Sequence, residues 1–236
     1  MNLIESTDLL VGDLAPLTFS SPVAYVYNPL EYARAPHELY LKKFGQGRRE
    51  VVMFGMNPGP WGMVQSGVPF GDVPSVRDWM GIEAPVGQPA ELHPNRPVQG
   101  FKCKRREASG MRLWGWAKET FGPAERFFER FYVANFCPLC FFDEDSANRT
   151  PDKLARGERP ALLAACDAAL RRTVEILNPA YVVGVGVFAE NRARIALDGM
   201  EITIGRIPHP SPASPLSHHN WPGQVNDALR ALGVEY

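Results

Sequence analysis

Short apolar runs and longer stretches of helical spacing alternate along this chain. Val51-Val52-Met53 reads as the centre of a buried strand over residues 50–55, and Phe131-Tyr132-Val133-Ala134 as a second strand. Residues 181–185 read as a third. Residues 202–207, where apolar and polar positions alternate, read as a fourth. Between the strands the period changes. Leu162, Leu163, Cys166, Ala169, Leu170, Val174 and Leu177 mark one face of a long helix over 160–177, with Pro160 suited to its first turn. Shorter helices are expected over 37–44, 76–80, 110–120, 188–197 and 222–232. Ser109 is the expected cap of the helix over 110–120, and Gly122-Pro123 its stop. Residues 85–100 are proline-rich and read as irregular. Strands alternating with helices predict an α/β fold: a four-stranded parallel sheet with helices on both faces, a three-layer sandwich. The expectation is a single domain over 1–236, with residues 1–20 as a peripheral amino-terminal segment.

Three of these four strands end at a residue with chemistry to offer. The first runs into Gly55-Met56-Asn57-Pro58-Gly59-Pro60-Trp61-Gly62-Met63. Pro58 and Pro60 fix φ there, and Gly59 and Gly62 permit close backbone approach. The second ends at Asn135. The fourth runs into Ile207-Pro208-His209-Pro210-Ser211-Pro212-Ala213-Ser214-Pro215. His209 lies between two prolines, so neither a helix nor a sheet interior is open to it. An Asn-Pro-Gly turn is by itself an ordinary turn, and a lone His is more often structural than catalytic. Two loops of like character at the carboxyl ends of strands shift that balance, because open α/β sheets bind ligands in the crevice outside those ends.

Composition sets the bounds. The chain has 236 residues, 45% hydrophobic and 22% charged, which suits a full-sized core. Its 21 Gly and 22 Pro imply long, shaped loops. A net charge of −1 gives no bulk attraction for nucleic acid. Lys102-Cys103-Lys104-Arg105-Arg106 is nonetheless a tight basic cluster, flanked by Arg96 and Arg112. Such a run is usually a solvated loop; its functional reading is contact with phosphate. No signal-peptide pattern and no run of about 18–20 apolar residues is seen. Four cysteines do not suggest a disulfide framework, and the expectation is an intracellular protein with reduced thiols.

Several other motifs lead nowhere. Gly184-Val185-Gly186-Val187-Phe188-Ala189 resembles a dinucleotide fingerprint, but it lies too near the carboxyl end for a nucleotide-binding unit. Its small residues are expected to serve tight helix–strand packing. Cys137-Pro138-Leu139-Cys140 has metal-site spacing without the H-x-E of a zinc deaminase. His218-His219 are adjacent and are expected at the surface. No metal and no cofactor are expected. There is no G-x-S-x-G elbow and no P-loop.

At Gly55-Met56-Asn57-Pro58-Gly59-Pro60 and His209-Pro210-Ser211-Pro212 the chain resembles the uracil-DNA glycosylase superfamily, and within it the single-strand-selective monofunctional family. The resemblance covers most of residues 20–235. It includes Gly67-Val68-Pro69-Phe70-Gly71, Val76-Arg77-Asp78-Trp79, His93-Pro94-Asn95-Arg96-Pro97, Ser109-Gly110 and Asn135-Phe136-Cys137-Pro138-Leu139. Each block alone is weak; their order and spacing together are specific. Two departures stand out. Ala213 and Ser214 replace an Arg-Asn pair often found after His-Pro-Ser-Pro, and Trp61 replaces a common Phe.

The resemblance implies hydrolysis of the N-glycosidic bond of uracil and oxidised uracils such as 5-hydroxymethyluracil in DNA, with no Schiff base. Asn57 would hold the attacking water, and His209 would stabilise the leaving base at O2. Asn135 would read the base, Phe70 would stack on it, and Met56, Gly59 and Gly62 would shape its C5 side. Lys102, Lys104, Arg105, Arg106, Ser211, Ala213, Ser214 and Leu216 would meet DNA, with Leu216 as a wedge. Single- and double-stranded DNA containing uracil would be the partner of a monomer, with no membrane involved, in the cytoplasm of a bacterium or the nucleus of a eukaryote. A same-fold mismatch-type glycosylase preferring another deaminated base, such as xanthine, is the alternative. A non-catalytic DNA-binding module is the alternative from another class, and intact Asn57 and His209 weigh against it. A metal-dependent nucleobase deaminase is the third.

Overall fold

The computed structural model describes the backbone of all 236 residues and the side chains of all but Leu216 and His218. In chain order it forms helix α1 (Leu3–Leu14), strand β1 (Tyr25–Tyr27), helices α2 (Pro29–Tyr32) and α3 (Arg34–Phe44), strand β2 (Val51–Gly55) and helix α4 (Met63–Ser66). Helices α5 (Ala108–Phe121) and α6 (Ala124–Arg130) lead into strands β3 (Phe131–Asn135), β4 (Cys140–Phe142) and β5 (Asn148–Arg149). The chain closes with α7 (Arg159–Leu177), β6 (Tyr181–Val185), α8 (Val187–Ala196), β7 (Thr203–Ile207) and α9 (Trp221–Ala231).

The expected parallel sheet is present, in the order β3-β2-β6-β7. All five residues of β2 are buried, as are four of the five in β6. Successive strand residues point to opposite faces, so both faces of the sheet centre are covered, as a parallel sheet requires. Residues 83–98 are irregular, as the prolines imply. Among the described residues no helix is long and apolar enough to cross a membrane.

Several expectations change. The amino-terminal segment is not peripheral. Asn2 and Glu5 form a capping box that starts α1, and Leu3, Leu10 and Leu14 are buried in the main core. Ser109 does not cap α5. The helix begins at Ala108, one residue before it, and its end is anchored by Asp72, which accepts the Glu107 N–H at 3.2 Å. Residues 75–79 form a π-helical turn. Helix α6 was not foreseen; Phe127 and Phe128 form its buried face. A second, antiparallel sheet, β1-β4-β5, was not foreseen either.

Register sets the positions that matter. Strands β2 and β3 pair from Val51 with Phe131 through to Gly55 with Asn135. The pairing continues beyond the strands, as Phe136 N–H donates to Gly55 O at 2.8 Å and Cys137 N–H to Met56 O at 2.9 Å. On the other side, β6 and β7 pair up to Val185 with Ile207, and Gly186 N–H donates to Ile207 O at 3.0 Å. The chain order reverses between β2 and β6, which is where an open sheet forms its crevice.

Gly184 and Gly186 are packing residues. A Cβ at Gly184 would lie 2.2 Å from the Glu190 backbone nitrogen in α8. Gly184→Ala is therefore expected to force α8 off the sheet and lower unfolding free energy by on the order of 2 kcal/mol, read from denaturant melts. A variant as stable as wild type would show that α8 can shift freely.

Candidate active site

A cavity of about 450 Å³ opens at the carboxyl ends of β2, β3 and β7. Its volume is that of a small-molecule site. Met56, Asn57, Gly59, Phe70, Asn135, His209, Ser211, Ala213 and Ser214, all singled out in the sequence, line it. Gly62 does not line it but packs behind the same loop. Lys102, Lys104, Arg105 and Arg106 lie outside it. Leu216, the expected wedge, is outside the described residues.

Asn57 stands two residues past β2. Its Nδ2 donates to Leu139 O at 3.3 Å, which turns Oδ1 away from that carbonyl as an acceptor. Pro58 O accepts from Asn148 Nδ2 at 3.3 Å, so β5 of the small sheet steadies the loop. The buried Gln65 side chain donates to Pro60 O at 2.9 Å and Pro97 O at 3.0 Å and accepts from Gln99 N–H at 2.8 Å. The irregular proline segment thereby acts as a brace for the Asn57 loop.

Phe70 and Asn135 meet over Gly55. A Cβ at Gly55 would lie 2.5 Å from Phe70 Cζ and 2.7 Å from Asn135 Oδ1. Asn135 Nδ2 points the other way, 3.3 Å from Met63 Sδ. Phe70 has φ +53°, in the left-handed region that costs a non-glycine residue on the order of 1–3 kcal/mol. Its carbonyl is held by the Asp72 N–H at 2.7 Å and the Trp114 indole N–H at 2.9 Å. Those bonds fix the ring where the backbone would not otherwise hold it.

His209 is clamped on both sides. Trp221 Nε1 donates to Pro208 O at 2.9 Å, and Arg112 Nη1 donates to Pro210 O at 2.7 Å. Ser211 N–H donates to His209 Nδ1 at 3.0 Å. An accepting Nδ1 leaves the proton of the neutral ring on Nε2, which becomes a donor. Burial pushes the imidazole below its ordinary range and so favours the neutral ring. Gly186, at φ +91°, leaves room: a Cβ there would lie 3.3 Å from His209 Cβ.

The basic cluster divides. Arg106 grips the buried Asp72 through Nε and Nη2, both at 2.8 Å. That pairing gives Arg106 a structural role, while its side chain stays about half exposed, at 48%. The Arg105 guanidinium lies over Trp61 at 4.2 Å, with Arg96 over the same ring system at 5.5 Å. Lys102 and Lys104 are exposed. Sequence reasoning missed Glu107, Ser109, Asn148 and Thr150, which also line the cavity. Glu107 carried a weak signal, being the first acid after the basic run. All four cysteines are free and buried, and among the described residues no group of three His, Cys, Asp or Glu side chains is placed to hold a metal ion.

Residues 42–232 match the model of the uracil DNA glycosylase superfamily. This chain belongs to that superfamily. A mouse protein described as single-strand selective monofunctional uracil DNA glycosylase is 44% identical over 98% of this chain and 84% of its own length. A bovine protein of the same description is 45% identical over 95% of this chain and 84% of its own. Within the superfamily the chain thus belongs to the single-strand-selective monofunctional family. The crystal structure of Pedobacter heparinus SMUG2 superposes with a TM-score of 0.67 at 16% identity, covering 97% of this chain and 98% of that one. At that identity the likeness is one of fold.

The division of the basic cluster in this glycosylase-family chain is testable. Arg106→Ala is expected to lower unfolding free energy by roughly 1–3 kcal/mol, because a buried carboxylate loses its main partner. Lys102→Ala with Lys104→Ala should leave stability within about 0.5 kcal/mol. The lysine pair alone should flatten the salt dependence of single-stranded DNA affinity, by about one to two units of log–log slope. A stable Arg106→Ala protein with a flattened slope would reverse the assignment.

Proposed function

We propose that this protein removes uracil, and oxidised uracils such as 5-hydroxymethyluracil, from DNA by hydrolysing the N-glycosidic bond. The observation that carries the reading is the gathering of Asn57, Asn135, Phe70 and His209 on one cavity. Membership in the monofunctional family supports the same reaction. The base enters from a single strand or is flipped from a duplex, because the bond is out of reach in stacked DNA. Phe70 stacks on the flipped ring, worth about 1–3 kcal/mol. Asn135 accepts the uracil N3–H with Oδ1 and donates to O4 with Nδ2. Cytosine presents the opposite pattern and leaves those groups unpaired.

Bond cleavage places positive charge on the sugar and negative charge on the departing base. His209 donates its Nε2–H toward O2, where that charge gathers, and a prepositioned donor of this kind is worth roughly 3–4 kcal/mol. Water held by Asn57 adds to C1′ as the C1′–N1 bond breaks. The water gives its proton to solvent, and the base leaves as the uracil anion and is protonated afterwards. An amide is a poor base, so stabilisation of the leaving group supplies most of the rate. No step calls for a metal or a Schiff base. The chain acts as a single-domain monomer, inside the cell and on DNA, in the cytoplasm of a bacterium or the nucleus of a eukaryote. Lys102, Lys104 and Arg105 supply phosphate contacts. Ser211, Ala213, Ser214 and Leu216 meet the strand beside the flipped base.

The test is excision of uracil from labelled single- and double-stranded oligonucleotides in EDTA, with abasic sites cleaved by alkali. Full activity is expected, and loss in EDTA would contradict the scheme. Asn57→Ala and His209→Ala should each lower single-turnover excision at least about a hundred-fold while DNA binding changes little, since both contacts strengthen as charge develops. A near-normal rate in either variant would remove its assigned role.

Base reading has its own test. Asn135→Asp is expected to shift preference toward cytosine with lower overall activity. A protonated carboxyl can donate to cytosine N3, and its other oxygen can accept from N4. Undiminished preference for uracil would place base reading elsewhere.

A further inference from the structure

Glu107 lines the cavity, yet none of the roles above uses it. Its carboxyl lies on the loop that follows β2, in space left by two missing side chains. A Cβ at Gly59 would lie 2.2 Å from Glu107 Oε2, and a Cβ at Gly62 would lie 2.9 Å from its Cγ. Trp61 N–H donates to Oε2 at 3.4 Å. The nearby Arg106 is held by Asp72, so it does not neutralise this carboxyl. Burial raises the carboxyl above its ordinary range, and the Asp72 charge adds to the rise. N–H groups of Trp61 and Ser109 oppose it.

The orientation of Asn135 says which part of a bound base faces this wall. Its Oδ1 lies toward Gly55 and Phe70, and its Nδ2 toward Met63. A uracil paired to that amide sets N3 on the Oδ1 side and O4 on the Nδ2 side. Continuing round the ring from N3 through C4 carries C5 further toward Met63. Gly59 and Pro60, on the loop that runs on to Met63, line the cavity, and Glu107 is packed against Gly59 and Gly62.

We propose that Glu107 determines specificity at the uracil 5-position, as the polar backing of the wall that receives a 5-substituent. This rests on the glycosylase reading above. A carboxyl in either protonation state offers an acceptor to the hydroxyl of a 5-hydroxymethyl group. A plain 5-methyl group gives that acceptor no partner, and an unpaired buried polar group penalises its binding.

The test is single-turnover excision from single-stranded oligonucleotides carrying either uracil or 5-hydroxymethyluracil. Glu107→Leu is expected to lower the rate ratio of 5-hydroxymethyluracil to uracil about tenfold, the loss of one hydrogen bond, with the uracil rate itself changed only severalfold. Glu107→Gln keeps an acceptor and should hold the ratio within about threefold. Gly59→Ala should depress 5-hydroxymethyluracil more than uracil, because its Cβ and the carboxyl cannot share one space. Gly59→Ala combined with Glu107→Ala should recover uracil excision relative to Gly59→Ala alone, while the ratio stays low. An unchanged ratio in Glu107→Leu, or equal losses on both bases in every variant, overturns the proposal. Should Glu107→Leu fail to fold, the Gly59 pair decides, and no recovery of uracil excision in the double variant is then the overturning result. A wild-type protein that excises neither base removes the glycosylase reading itself, whatever Glu107 does.

Discussion

The pocket depends on one close approach, the contact of Phe70 and Asn135 across Gly55. No side chain larger than hydrogen fits there, since a Cβ would meet both the ring and the amide below 3 Å. The in-register pairing of β2 with β3 sets Gly55 beside Asn135, so the sheet itself delivers the amide. Phe70 arrives from the other direction through a left-handed residue held by Trp114 and the turn to Asp72. Strain at that residue is offset by the packed scaffold around it, which holds the ring at the cavity wall. Preorganisation of this kind lowers the entropic cost of ordering a base at the moment of binding.

Electrostatics follow the same logic. Apart from Glu107, the polar side chains argued for catalysis and base reading are two amides and an imidazole whose Nδ1 is already bonded. Burial favours the uncharged form of His209. In the proposed reaction its Nε2–H would interact modestly with neutral uracil and more strongly with the anion that forms as the bond breaks. Differential binding of that sort raises rate, whereas a fixed charge would bind ground and transition states more evenly. The clamps from Trp221 and Arg112 act on the carbonyls either side of His209, so the ring is aimed by backbone as well as by packing.

Much of this was legible in the sequence, for reasons that can be named. The strands of the parallel sheet are short apolar runs bounded by turn residues, and both faces are buried, so the pattern is strong. Asn57, Asn135 and His209 were found because each follows such a run directly. Helix α1 escaped because its three buried leucines are separated by polar residues that serve its cap and surface. The strands β1, β4 and β5 are two or three residues long, too short for any period to show. Glu107 was missed, and the Asp72 pairing of Arg106 was not foreseen, for one reason: the surroundings of both are set by Asp72, 35 and 34 positions away, and those of Glu107 also by glycines still further back. A carboxyl beside a run of cations suggests a solvated loop until the fold brings a second carboxyl underneath it.

That arrangement explains how a nearly neutral chain can still present charge to DNA. Arg106 is half exposed while paired with Asp72, and beside it the loop presents Lys102, Lys104 and Arg105, with Arg105 stacked on Trp61. Trp61 belongs to the same loop as Asn57 and Gly59, whose backbone forms the pocket wall. A guanidinium lying on an indole keeps its edge free to bond phosphate while its face is held. The ring system of Trp61 gives Arg105 and Arg96 a common surface. The loop that shapes the pocket and the loop that carries the charge are thus joined at one residue. A strand bound at Arg105 would be held against the same loop that receives the base, which links grip on the backbone to entry of the nucleotide.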